Sequence, residues 1–101
     1  MNYTEFKDKF LSAMQVLSNQ SGSAWTTVAN ASLVELPEKT VDNFIQGLFN
    51  AHLGNYNKVS AFKGYCINWN APYLNNQTRL LMLAFKNFEF DDWGKLARLV
   101  E

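Results

Sequence analysis

Along most of this chain apolar residues recur every three or four positions, the spacing of one face of an α-helix. The first run is Phe6, Phe10, Ala13, Met14 and Leu17, while Lys7, Asp8, Ser12 and Gln15 fall mostly on other sides. Thr4 stands where a helix N-cap is expected. Glu5 follows in the first turn, where a carboxylate offsets the positive end of the helix dipole. The most loop-like stretch is 18–23, too short to divide domains, so it reads as a helix–helix connection. Ser23 is a candidate cap for what comes next, and Trp25, Val28, Ala29 and Leu33 keep the helical period. That period favours a helix, although Thr26, Thr27 and Val28 are β-branched and would also suit a strand. Leu36-Pro37 closes the segment, because the residue before proline is pushed toward extended backbone.

The clearest pattern comes third: Val41, Phe44, Ile45, Leu48, Phe49 and His52 share one face behind a candidate cap at Thr40. Gly54 stands where a left-handed C-terminal residue is wanted. Gly47 lies inside this helix at a cost of about 1 kcal/mol relative to alanine, which a close helix contact would explain. Residues 56–63 read as a short helix ended by Gly64. Tyr65, Ile67 and Trp69 alternate like a strand that has no evident partner. Pro72, Asn75 and Asn76 mark turn or cap positions. The stretch 77–88 is apolar nearly all round through Leu80, Leu81, Met82, Leu83, Ala84 and Phe85, as expected of a central helix. Asp91 is a candidate cap for a last helix with Trp93, Leu96, Ala97 and Val100 inward. The expectation is a single all-α domain over 1–101. It would be an irregular bundle of five or six short helices, with one short extended segment near 65–69 as the exception. No heptad persists as in a coiled coil.

Composition narrows the function classes. Hydrophobic residues are 48% and charged residues 18%, apolar enough to build a core. Aromatic residues are 15%, a load that a small core need not hide completely. Nine Lys and Arg balance nine Asp and Glu, which argues against a polyanionic mimic and against a generally cationic nucleic-acid binder. With Cys66 alone, no internal disulfide can form, unlike most secreted domains of this size. The N-terminus lacks the pattern of a signal peptide, and the longest apolar run, 80–85, is too short for a membrane span. The expectations are a cytoplasmic location and no membrane.

Chemistry is sparse. His52 and Cys66 are the only imidazole and thiol. A thiolate nucleophile would need such a pair, but no third orienting group is evident, and buried cysteine ordinarily acts as a small hydrophobe. Zinc sites need several Cys or His at short spacing. Glu89, Asp91 and Asp92 lack the alternation and glycine turn of a calcium loop, and they suit a helix N-terminus instead. Gly22, Gly47, Gly54, Gly64 and Gly94 form no phosphate-binding loop. Neither a catalytic set, a metal nor a cofactor is expected.

One distribution stands out: no acidic residue occurs between Asp42 and Glu89. That stretch holds Lys58, Lys63, Arg79 and Lys86 beside many aromatic rings. A helix-turn-helix reading places Tyr56, Asn57, Lys58, Ser60 and Lys63 on a recognition helix, but with few cations for phosphate contacts. The plainer alternative is that much of the stretch is core and that flanking acids neutralise its bases. The sharper expectation is a partner-binding face made by Tyr56, Lys58, Phe62, Lys63, Tyr65, Trp69 and Tyr73. Rings would act there as anchors and lysines as steering charges. The functional expectation is therefore a non-enzymatic module that binds another protein with an acidic surface. The alternative is a small nucleic-acid binder using residues 43–88. Short length with abundant Asn and aromatics is also common among small phage proteins that block host factors. An inhibitor or adaptor of that type is one form the module would take, on composition and not on any motif.

Overall fold

The first apolar stripe builds the longest helix of a computed structural model that describes residues 1–20, 24–72 and 74–101. This helix, α1 (Tyr3–Gln20), buries Phe6, Phe10, Ala13, Met14 and Leu17, the face read from the spacing. Its cap is Asn2, not Thr4: the Asn2 side-chain oxygen accepts from the Glu5 N–H at 2.9 Å. The earlier start brings Tyr3 into the helix, where its hydroxyl donates to Asp42 Oδ1 at 3.0 Å. Lys7 pairs with the same carboxylate. Burial, and then the bond to Asp42, push the Tyr3 phenol up to about 12.

Helix α2 (Ala24–Glu35) settles the choice between helix and strand for the β-branched run. Its buried side is Thr26, Ala29, Ser32 and Leu33, while Trp25 is exposed. The face is rotated from the expected one because α2 packs on two neighbours through small side chains, which let backbones approach closely. The candidate cap Ser23 lies outside the described residues.

Helix α3 (Glu38–Gly54) starts directly after Pro37, whose fixed φ and missing N–H suit a helix start. Thr40, expected as the cap, instead points inward with Val41, Phe44, Ile45, Leu48, Phe49 and His52. Gly54 does not take the left-handed conformation; the chain leaves through an extended Asn55. No such glycine is needed, because the Asn55 amide donates to the Ala51 carbonyl at 2.6 Å and the Lys58 ammonium to the His52 carbonyl.

Helix α4 (Lys58–Ile67) is capped by Asn57, which accepts from the Ser60 N–H at 3.1 Å. It runs through Gly64, so the expected extended segment is a correction: Tyr65 to Ile67 form its last turn, and no strand occurs among the described residues. Phe62 and Cys66, four apart, turn into the core, and the helix satisfies backbone groups that a lone strand would leave unpaired. Helix α5 (Asn76–Lys86) opens on a reciprocal box. Asn75 Oδ1 accepts from the Thr78 N–H at 2.8 Å, and Thr78 Oγ1 accepts from the Asn75 N–H at 3.0 Å. Helix α6 (Phe90–Leu99) starts one residue before Asp91, with Asp92 Oδ2 accepting from the Glu89 N–H at 3.0 Å. Trp93, Leu96, Ala97 and Val100 face inward as the period predicts.

These six helices share one core. Helix α5 packs most extensively on α2 and also on α4; α1 packs on α2, α3 and α6; and α4 joins α3 and α6. Rings run through the centre, with Phe44 stacked on Phe85 at 5.6 Å and Phe85 tilted against Trp93 at 5.9 Å. Every phenylalanine but Phe90 is buried, so the core takes up most of the aromatic load. The radius of gyration, 12.3 Å, is that of a compact chain of this length, about 13 Å. No helix among the described residues is long and apolar enough to cross a membrane.

Candidate functional site

The residues expected to form a partner face do not stay together. Phe62 is fully buried between Phe6 and His52, so it belongs to the core and offers a partner nothing. Tyr65 is half-buried; its ring lies against Gly47 and its hydroxyl donates to the Phe44 carbonyl at 2.8 Å. Trp69 is half-buried too, edge-on to Phe44 at 4.8 Å. The Lys58 ammonium is engaged by the His52 carbonyl. Tyr56 and Lys63 are exposed, and Tyr73 lies outside the described residues. Tyr56 stands over an open cleft of about 350 Å³ between the start of α4 and α6, where Lys58 and Arg98 lie with Glu101.

His52 and Cys66 are placed for packing. Cys66 is fully buried, and that burial pushes its thiol well above the usual value, which suppresses the thiolate. His52 stacks on Phe62 at 5.3 Å and lies tilted against Phe6 at 5.4 Å. Its pKa is lowered, first by burial and then by the nearby Lys58 charge, with Glu101 opposing. Among the described residues no three His, Cys, Asp or Glu side chains converge.

The surface that stands out belongs to α5. Leu81, Ala84, Phe85 and Thr78 face the core, but Leu80 and Leu83 are 44% and 45% exposed. The expectation of a helix buried all round is corrected: α5 has an inner face and an outer one. Arg79 and Lys86 flank the outer leucines. Among the described residues neither they nor Lys63 pair with a carboxylate. Sequence reasoning missed these leucines because an apolar run of six gives the helical period no side to choose.

Charge follows the packing. The helices α2, α4 and α5 carry four of the nine cations, Lys58, Lys63, Arg79 and Lys86, against Glu35 alone among the nine acids. The others lie on or beside α1, α3 and α6. The neutral chain thus divides its charge unevenly among its helices, and α5 carries cations beside exposed apolar residues. Comparison with protein-family profiles, curated proteins and solved structures finds no match to this chain.

Proposed function

We propose that this chain is a non-enzymatic module that binds another protein, as an adaptor or inhibitor, through the outer face of α5. One observation carries the reading: Leu80 and Leu83 remain exposed on one face of α5 between Arg79 and Lys86, which pair with no carboxylate among the described residues. Exposed leucine gains by leaving water, and a cation beside it steers a partner of opposite charge. The burial of Cys66 and the stacking of His52 support the non-enzymatic part.

The unpaired Lys63, Arg79 and Lys86 give a nucleic-acid partner some support as a second reading. Single strands, however, are held by stacking on several exposed rings; Tyr65 and Trp69 are turned against Phe44, which leaves Tyr56 as the exposed ring of residues 43–88 among the described residues. This supports ranking the protein partner ahead of the nucleic acid. The test is capture from a lysate of the source cells with the wild-type chain and with Leu80→Ser/Leu83→Ser. A stoichiometric protein recovered by the first and lost by the second is the expected outcome. No stoichiometric partner, together with nucleic-acid binding that falls steeply as salt rises, would overturn it in favour of the second reading.

A further inference from the structure

The outer face of α5 has a register. Asn76, Leu80, Leu83 and Asn87 are spaced four, three and four apart, the alternation of a and d positions in a heptad, and all four are exposed. Arg79 and Lys86 each immediately precede an a position, so both occupy g, the place where a coiled coil sets its interhelical charge pairs. Seven residues apart, they lie nearly in line along the helix, about 10 Å from each other. The opposite flank is closed by the domain itself: Ala84 is buried, and the Gln77 amide donates to Glu35 Oε2 of α2 at 2.7 Å. A partner helix can therefore approach from the cationic flank alone.

We infer that this face receives an amphipathic helix with a short apolar a/d stripe and carboxylates spaced seven apart on its flank. This rests on the interaction reading above and adds the chemistry of the partner. Charge decides between occupants. A second copy seated antiparallel on the same face would set Arg79 and Lys86 against their own kind, whereas an acidic helix meets both. The seam is only about three turns long, with leucine at two of its four positions, so the complex is a weak one unless the partner makes contacts elsewhere.

The experiment titrates the chain with a labelled synthetic peptide of three heptads carrying leucine at a and d and glutamate at e and g. A counterpart carries lysine at e and g. At low salt the acidic peptide should bind at least about tenfold more tightly than the basic one, a difference of ~1.4 kcal/mol. Arg79→Glu/Lys86→Glu should reverse the preference, and Leu80→Ser/Leu83→Ser should abolish most binding of the acidic peptide. All four side chains are exposed, so unchanged melting temperatures confirm that the variants fold. Equal binding of the two peptides would overturn the inference. So would insensitivity to the leucine pair, or tighter binding to anionic phospholipid vesicles or single-stranded DNA than to the acidic peptide. If neither peptide binds while lysate capture still depends on Leu80 and Leu83, the acidic-helix partner falls and the interaction reading stands. If capture fails as well, both fall.

Discussion

Gly47 is where α3 meets the end of α4. A glycine inside a helix costs about 1 kcal/mol relative to alanine, and Tyr65 occupies the room a side chain would need, since a Cβ there would stand 2.8 Å from Tyr65 Cζ. The clash outweighs the gain in propensity, so Gly47→Ala should destabilise the fold by ~1–3 kcal/mol. In a Tyr65→Ala background the same change should become neutral or stabilising by up to ~1 kcal/mol. Gly64, also inside a helix, has nothing within 4 Å of a Cβ, so Gly64→Ala should stabilise by about 0.5–1 kcal/mol. Urea midpoints read all three, and like responses at both glycines would show that Tyr65 does not close on Gly47. His52 sets a second expectation. Its folded pKa lies below the ordinary 6.5, so the unfolded chain takes up its proton first. Stability is then fully present above about pH 6.5 and falls as pH drops toward the folded value. Carboxylates titrate mainly below about pH 5, which leaves that window to the sole histidine. Melting temperatures should decline from about pH 7 to pH 5.5 in the wild type and stay flatter in His52→Phe; parallel profiles would contradict this.

At the scale of the element, α5 separates packing from surface within one helix. Leu81 is fully buried while Leu80, its neighbour, is 44% exposed. Leu81→Ala should lower stability by ~2–5 kcal/mol through lost burial and the cavity left behind. Leu80→Ala should stay within about 0.5–1 kcal/mol. Denaturant titration checks the pair, and comparable losses would mean that the outer face is covered. The other elements differ in how far their sequence spoke for itself. The faces of α1, α3 and α6 follow directly from their spacing, because each has one apolar stripe and polar residues elsewhere. The starts of these three helices were less legible than that of α5, whose cap Asn75 stood among the expected turn or cap positions. Thr4, Thr40 and Asp91 are all competent caps, yet Asn2, Pro37 and Glu89 precede the helices, because several polar residues near a start compete and tertiary ties such as Tyr3 to Asp42 decide among them.

At the scale of the whole molecule, a core shared by all six helices predicts a single cooperative transition. Far-ultraviolet circular dichroism and tryptophan fluorescence, the latter reporting on the fully buried Trp93, should give coincident melting curves. Two separate midpoints would show that some helices unfold alone. The same assembly shapes the charge distribution: helices distant in sequence, α2 and α5, are packed together, and with α4 they carry four cations against Glu35 alone. Net neutrality argued against a generally cationic surface, but a field depends on where charges lie and not on their sum.

What the amino-acid sequence determined by itself is local. Helical spacing, proline breaks and the burial of large apolar side chains act over a few residues, and they specify an all-α chain, most of its helices and the inner faces of three of them. Gly47 also announced a close contact, because a glycine in a helix needs a reason. The tertiary structure decided everything that depends on a neighbour. It rotated α2 onto its small residues and left Leu80 and Leu83 outside. It drew Phe62, Tyr65 and Trp69 toward the core from a face on which they were expected as anchors. A helix apolar on several sides has no preferred orientation of its own, so the side it hides is chosen by the helices that pack against it.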